Sequence, residues 1–478
     1  MHVFGIATVA AAAFAGPAIG PVPIEFVLFG IVLACVALFH KHTLAIAVTG
    51  VTVITLYKIF ASPFATGPGL LGFGRHLEHE WVIVVNLGLL LLGFALLARQ
   101  FEDTRVPAAL PRILPSGWMG GFVLLIMIFV LSSFLDNIAA ALIGGAMAHA
   151  VFRGKVHVGY LAAIVAASNA GGAGSVVGDT TTTMMWIAGV SPLEVVEAFV
   201  GGVAALLVFG IPAAMLQHRH SPIVKSLAPA DLVLVGAHGE EESDEAEELW
   251  ALGGQELAPA HSEADQGAVG EASLVRIDWP RVGVVACILA AAVIVNVTVN
   301  VKFHEISDVA PFLGMAVWAA ILVTALVRKP EWTLLPNAFK GAVFLLSLVL
   351  CASMMPVEKL PPAGWHTAMG LGFLSSVFDN IPLTALTLVQ GGYDWGFVAF
   401  AVGFGGSMIW FGSSAGVALS SMYPEAKNAL QYLRKGWFVT VAYIVGFMVM
   451  LQLIGFHPGS TPRTVQQIES PTPIEATH

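Results

Sequence analysis

The chain of 478 residues is 57% hydrophobic and only 11% charged, whereas soluble domains carry about 25% charged residues. Such a composition is expected where most of the chain lies in lipid. The formal net charge of -10 comes from one segment, because residues 240–271 contain eleven acidic residues and no Lys or Arg. The charge therefore says little about a substrate, and no basic stripe indicates a nucleic-acid partner.

Apolar runs long enough to span a bilayer follow one another along the chain. A short opening run, 3–19, contains Ala-Phe-Ala but has no Lys or Arg before it, so we expect a retained helix rather than a cleaved signal peptide. Two Gly-rich runs, 118–148 and 364–391, contain SSFLDNIAAA and SSVFDNIPLT. The other runs lie near 22–39, 43–61, 80–98, 158–189, 193–216, 279–299, 309–327, 340–357, 395–421 and 437–455.

The basic residues fall mainly on one side of the membrane if both Gly-rich runs enter it and return to the same side. Sixteen of the 21 Lys and Arg residues then share one side, which the positive-inside rule identifies as the cytoplasm. The run 118–148 would re-enter from the cytoplasm and the run 364–391 from outside. We therefore expect a multi-pass protein of the cell (inner) membrane, with the acidic segment solvated and disordered in the cytoplasm.

The acidic segment divides the chain into two similar halves. Each half is expected to hold three spans, a re-entrant helical hairpin and two further spans, of which the first is broken (158–189 and 395–421). Because the first half starts outside and the second inside, the predicted fold is an all-α polytopic membrane protein with two inverted repeats, the architecture of secondary transporters. The predicted parts are a first repeat 1–217, a linker 218–275, a second repeat 276–456 and a tail 457–478.

Short motifs recur between the halves at constant offsets. The series Ser132, Ser133, Asp136 and Asn137 returns 243 residues later as Ser375, Ser376, Asp379 and Asn380, where Pro382 follows. Within NAGGAGSVVGDTTTT and FGGSMIWFGSSAG, the glycines repeat at an offset of 234. Glycine tolerates the dihedral angles of a helix break, so these segments predict hairpin tips and helix breaks. The repeated glycines are Gly171, Gly172 and Gly178, matched by Gly405, Gly406 and Gly412.

Non-helical backbone at membrane depth survives only where protein or a wet cavity satisfies it. Each tip is therefore expected to face one break, which gives two clusters of oxygen ligands suited to a hard cation. Only the first cluster has two carboxylates, since Asp179 corresponds to Ser413, and two close carboxylates can hold either a cation or a proton. The candidate ion-binding residues are Asp136, Asn137, Asn169, Asp179, Thr180, Thr181, Asp379, Asn380, Ser413 and Ser414, with Asp136, Asp179 and Asp379 as candidate sodium ligands.

Two simpler interpretations stand beside this one. The Asp-Asn pairs could serve only as helix caps, although a charge at mid-membrane costs about 2.5–3.5 kcal/mol on insertion scales and intramembrane acids are usually functional. His366, at the mouth of the second hairpin, could relay protons or be an interfacial residue without a role in transport.

The motifs ASNAGGAGSVVGDTTTTMMW, SSFLDNIA and SSVFDNIPLTALTL resemble the ion transporter superfamily, and most closely the NhaD-type sodium/proton antiporters. Arsenite permeases and citrate or dicarboxylate carriers are more distant. The resemblance covers roughly residues 20–455 and implies an elevator-type fold, a homodimer, and cation binding by the Asp and Thr residues of the motifs. The chain departs from the pattern at Ala139, where Pro is usual, and at Gly174, where a bulky residue is usual.

The first expectation is thus a secondary transporter that exchanges sodium or lithium for protons. The alternative is sodium- or proton-coupled symport of citrate or another carboxylate, in which helix N-termini would hold the anion. The chain has no HExxH motif and no P-loop, so neither an enzyme nor an ATP-driven pump is expected. Sodium is the expected transported or coupling ion, with lipid and protons as partners and no cofactor.

Overall fold

The computed structural model describes residues 16–39, 42–106, 114–223, 277–302 and 309–459. The described chain is mostly helical, with one small antiparallel strand pair, β1 (Ala18–Ile19) and β2 (Val22–Pro23). Most of the predicted opening run, of the acidic linker and of the tail lies outside the described residues, so those predictions stay untested.

Every predicted apolar run that is described coincides with helix. The first half contains α1 (Ile24–Leu38), α2 (Thr43–Phe60), α3 (Gly69–Glu102), α4 (Trp118–Ser132), α5 (Asn137–Val151), α6 (Val158–Ala173), α7 (Thr180–Ile187), α8 (Pro192–Val196) and α9 (Ala198–His220). The second half contains α10 (Trp279–Lys302), α11 (Phe312–Thr324), α12 (Leu335–Ser353), α13 (Trp365–Ser375), α14 (Asn380–Gln390), α15 (Trp395–Gly405), α16 (Ser414–Met422), α17 (Ala429–Lys435) and α18 (Trp437–Leu453). Single 3-10 turns lie at Trp332–Leu334, Val357–Lys359, Gly406–Met408 and Pro424–Lys427.

Four of the described helical stretches are long and apolar enough to cross a membrane: Thr43–Phe60, Gly69–Glu102, Pro192–His220 and Trp332–Ser353. A fifth results if Ala429–Lys435 and Trp437–Leu453, which meet at 61°, count as one bent span. Seven shorter apolar helices accompany them. The number of long helices is lower than the number of apolar runs because several runs are split by a turn or a break. The chain is an all-α polytopic membrane protein.

Both Gly-rich runs form helix pairs. In the first helix pair, α4 and α5 are joined by residues 133–136, and in the second, α13 and α14 are joined by residues 376–379. Two interrupted helices follow: α6 ends at Ala173 before α7 begins at Thr180, and α15 with its 3-10 turn ends at Met408 before α16 begins at Ser414. The turns and breaks fall where the repeated motifs predict them.

The helices pack as two groups. The frame group comprises α1–α3 and α10–α12, in which α2 packs on α12 and α3 packs on α11 and α12. The site group comprises α4–α9 and α13–α18, and its centre is formed by α6 and α15, whose residues are all buried. The two groups meet where α12 packs against α14 and α3 against α7.

Glycines at equivalent positions allow the helices of the site group to approach backbone to backbone. A Cβ atom at Gly171 of α6 would collide with the carbonyl of Phe129 in α4, and one at Gly405 of α15 with the carbonyl of Gly372 in α13. Phe129 and Gly372 are themselves related by the offset of 243. The same close approach is therefore built twice, in each half from its own residues.

An ion-pair network lies at one end of the frame group. Arg99 Nε is 2.7 Å from Glu331 Oε2, and Arg328 Nε is 3.1 Å from Asp278 Oδ2. Arg281 pairs with Asp103. The three arginines come from separate segments that the charge distribution predicts to lie on the cytoplasmic side, and the structure brings them together.

Candidate functional site

Four polar side chains cap the helices that begin at the tips and breaks. Asp136 and Asp379 cap α5 and α14, accepting hydrogen bonds from the amides of the second helical residues at 3.2 and 3.0 Å. Asp179 caps α7, accepting from Thr181 N at 3.2 Å, and Ser413 caps α16, accepting from Gly416 N at 3.2 Å. Each cap contributes roughly 1 kcal/mol to its helix. Capping is therefore real, but it uses only one oxygen of each carboxylate.

Asn380 and Asn169 make contacts that cross between the two halves of the chain. Asn380 at the second tip donates from Nδ2 to Asp179 Oδ2 at the first break, at 3.4 Å. Asn137 at the first tip donates from Nδ2 to Asn169 Oδ1 at 3.1 Å. Asn169 in turn donates to Ser413 Oγ at the second break, at 3.0 Å. The two predicted clusters are thus joined by a hydrogen-bond network of two separate links, Asn380–Asp179 and Asn137–Asn169–Ser413.

The network leaves the oxygen of each tip asparagine available. The Nδ2 groups of Asn137 and Asn380 both donate to acceptors of the protein, which fixes the orientation of the two amides. Within the described residues, no donor reaches either Oδ1 atom. An amide oxygen held in this way is a suitable ligand for a hard cation.

A cavity of about 80 Å³ lies where the tips and breaks meet the frame group. A volume of this size can hold water. The site group provides the polar wall, and α3 and α12 provide a mainly apolar wall. The polar wall contains Asp136, Asn137, Asp179, Thr180, Thr183, Asn380 and Ser414.

Four predicted ligands do not line the cavity and lie behind this wall: Asn169, Thr181, Asp379 and Ser413. Asp379 accepts a hydrogen bond from Ser414 Oγ at 3.2 Å, so it contacts a residue of the cavity wall. Asn169 and Ser413 are buried, at 0% and 1% exposure, and hold the wall in place. Thr181 contributes its backbone amide to the cap of α7.

The serines at the start of each tip turn attach the helix pairs to the interrupted helices. Ser132 Oγ donates to the carbonyl of Ser168 at 2.6 Å, and Ser375 Oγ donates to the carbonyl of Val402 at 2.7 Å. The next residues along the chain differ between the halves. Ser133 reaches Gly171 O at 3.2 Å, whereas Ser376 bonds Phe373 within its own helix.

The glycines predicted at the helix breaks lie where there is no room for a side chain, and the predicted proline lies in the first turn of a helix. Gly172 and Gly406 face the carbonyls of Gly178 and Gly412, which leave no room for a Cβ atom. Gly178 and Gly412 in turn face the carbonyls of Ser132 and Ser376. Pro382 lies in the first turn of α14, where proline is tolerated.

His366 does not belong to the cavity. It lies exposed near the start of α13, with its ring stacked on that of Trp365 at 3.4 Å between centroids. In the part of the chain that the structure describes, no three His, Cys, Asp or Glu side chains converge as a metal centre. The three aspartates therefore do not form an all-carboxylate site, and a cation there would need amide, hydroxyl and backbone oxygens as well.

Sequence analysis missed three residues of the site. Ser407 accepts a second hydrogen bond from Asn169 Nδ2, at 2.9 Å, and is fully buried. Thr183 lines the cavity one turn into α7, and Asn337 lines it from α12. Ser407 follows the Gly405–Gly406 pair directly, which was a usable signal. Asn337 lies in a mainly apolar helix, α12, where no pattern marks it.

A helical membrane protein with interrupted helices and carboxylates that line a cavity fits the class of secondary transporters, which the comparisons support. The model of the citrate transporter family (CitMHS) matches residues 6–391. The chain belongs to this family and is an NhaD-type member of the ion transporter superfamily.

Relatives of the chain are found in plants and bacteria. It is 28% identical over 398 residues to the Na(+)/H(+) antiporter NhaD of Vibrio cholerae, covering 79% of this chain and 80% of that protein. It is 27% identical over 387 residues to sodium/proton antiporter 1 of Arabidopsis thaliana, covering 73% of this chain. The match spans only 58% of the Arabidopsis protein.

Proposed function

We propose that the protein exchanges sodium or lithium for protons across the cell membrane. The observation that carries this proposal is the cavity wall: Asp136 and Asp179 line it together with amide and hydroxyl oxygens, and no Arg or Lys is among its described lining residues. Oxygen ligands with net negative charge suit a small hard cation. The names of the NhaD relatives agree with this choice.

Competition between sodium and protons follows from the pair of carboxylates. Two carboxylates around one small cavity repel each other when both are ionised. The repulsion is relieved either by a cation between them or by a proton on one of them. The same site therefore binds each ion at the expense of the other, which is the requirement for exchange.

Carboxylate symport is the second candidate, and two observations favour it. The matching family is described as citrate transporters. In addition, four helices have their N-termini at the site: α5, α7, α14 and α16. Helix N-termini attract anions. However, three of these four helices are capped by aspartates, which offset the positive ends of the helix dipoles. We therefore place cation exchange first.

We further propose the membrane arrangement that the motifs indicate. The halves 1–217 and 276–456 would be inverted repeats, the two helix pairs would be re-entrant hairpins, and 218–275 would be a cytoplasmic linker. The site group would move against the frame group as in an elevator, within a homodimer. The packing in two groups that meet at the cavity supports this division.

Reconstitution in vesicles tests the proposal. A sodium gradient is applied while the internal pH is followed, first without any organic anion and then with citrate. Exchange requires a pH change in the first condition. A pH change or sodium uptake only when citrate is present would replace exchange by symport.

A further inference from the structure

The two walls of the cavity differ in chemistry. The wall formed by the frame group is built from apolar residues such as Leu87, Leu90 and Phe94 of α3 and Leu345 of α12. Among its described lining residues, the one polar side chain is Asn337, in the first turn of α12. Asn337 therefore lines the same small cavity as the polar residues of the site group and is in position to contact what the cavity holds.

The position of the frame wall along its helices shows toward which end the cavity lies. Its residues occupy the second half of α3 and the first half of α12. Both half-helices lead to the ion-pair network, where Arg99 of α3 bonds Glu331 just before α12. The cavity therefore lies toward the end of the frame group that carries Arg99, Arg281 and Arg328, the predicted cytoplasmic end.

The side chain of Asn337 has no competing partner in the described part of the chain. It is half-buried, and none of the described residues forms a hydrogen bond with its amide. Asn86, another amide of the frame group, provides the contrast: its Oδ1 accepts from Gly314 N at 2.7 Å and is thereby used in packing. The amide of Asn337 is therefore free to bind water or a ligand in the cavity.

We propose that Asn337 contacts the transported cation, directly or through one water of its hydration shell, while the cavity is open toward the cytoplasm. The proposal rests on the proposed cation exchange. Asn337 belongs to the frame group, so it can serve the ion only when the site group stands opposite the first half of α12. It would therefore set the apparent sodium affinity on the cytoplasmic face without affecting the opposite face.

The test is a two-sided sodium titration of reconstituted protein with known orientation. Asn337→Leu should raise the half-saturating sodium concentration at the cytoplasmic face about fivefold, the effect of one lost hydrogen bond, and leave the opposite face unchanged. Asn337→Gln should restore most of the affinity. Thr52→Val, at an exposed residue of the frame group that bonds Val48 O within its own helix and does not line the cavity, is the control.

A second measurement does not depend on the activity of the leucine variant. Asn337→Cys, in a chain with Cys35, Cys287 and Cys351 replaced by Ser, should react with an impermeant maleimide added from the cytoplasmic face, and sodium should slow the reaction. The role of Asn337 would be overturned if Asn337→Leu left the sodium affinity unchanged, or changed it equally on both faces. It would also be overturned if sodium had no effect on the rate of labelling. Wild-type protein that moves no protons in response to sodium would instead remove the proposed function itself.

Discussion

Asn380 and Asp179 stand 201 positions apart in the chain and are joined by a hydrogen bond of 3.4 Å between Nδ2 and Oδ2. Asp179 caps the second part of one interrupted helix, and Asn380 is the first residue of the second helix of the opposite helix pair. The site therefore cannot be assigned to either half alone. A substitution in one half is therefore expected to alter the orientation of side chains in the other.

Asp136→Asn and Asp179→Asn should each abolish sodium-dependent proton movement. Each change removes one of the two charges that face the cavity, and thereby the competition between cation and proton. The measurement is the internal pH of vesicles after a sodium jump. Asp394→Asn is the matched control, because Asp394 is a buried aspartate that caps α15 away from the cavity lining. Retained transport in the Asp136→Asn, Asp179→Asn double variant would contradict the site assignment.

Asn169→Ala should lower both stability and transport. Three hydrogen bonds end on this side chain, to Asn137, Ser407 and Ser413. Leaving a buried polar partner unsatisfied costs about 1–3 kcal/mol, so the melting temperature in detergent should fall clearly. Ser407→Ala removes a single bond and should cost less. A Ser407→Ala loss equal to that of Asn169→Ala would show that the network is not centred on Asn169.

Gly171→Ala and Gly405→Ala should both impair folding, because the added methyl group meets a backbone carbonyl of the neighbouring helix. Strain of this kind typically costs about 1–3 kcal/mol. Gly370→Ala in α13 is the comparison, since a Cβ atom there meets nothing within 4 Å and alanine favours helix by up to about 1 kcal/mol. The yield of folded protein after detergent extraction should be lower for Gly171→Ala and Gly405→Ala than for Gly370→Ala. Equal yields for all three variants would argue against backbone contact at Gly171 and Gly405.

Asp278→Asn should lower the melting temperature of the protein by the same amount at about pH 7 and about pH 5. A hydrogen bond from Arg328 holds the pKa of Asp278 below its usual value of 3.8. A carboxylate with a lowered pKa stabilises the folded state above its unfolded pKa, and this contribution is lost as the pH falls through the folded pKa. The difference in melting temperature between variant and wild type should therefore shrink only below the usual aspartate range.

Two outcomes bear on that prediction. Glu425→Gln, at an exposed acid outside the network, should shift the melting temperature little at either pH. If the effect of Asp278→Asn already faded between about pH 7 and about pH 5, the contact with Arg328 would not be lowering the pKa of Asp278.

The sequence predicted the helix breaks well because their causes are local. A break at membrane depth needs glycine for the backbone and Asp, Asn or Ser for the freed amides, and these residues stand together in the motifs at 132–137, 169–183, 375–380 and 405–414. The all-helical membrane fold followed from the apolar runs alone. The family is the one that the motifs resemble, and the comparisons confirm it.

The pairing across the site could not be predicted in the same way. The repeat suggests that each tip serves the break of its own half, and Asp379 does bond Ser414 of its own half. Asn169 and Asn380, however, bond Ser413 and Asp179 of the opposite half. Such contacts depend on how two helix pairs are placed against each other, and neither spacing nor composition encodes that placement. Asn337 was missed for a related reason, since its importance comes only from the wall that it faces.

The bare contacts of Gly171 with Phe129 and of Gly405 with Gly372 also limit how the molecule can change shape. Two helices whose backbones are in direct contact have no flexible side chains between them that could rearrange as one helix moves past the other. Each tip and its neighbouring break would then travel as a single block, and any rearrangement that delivers an ion to the far side must bend the chain at the links between the blocks and the rest.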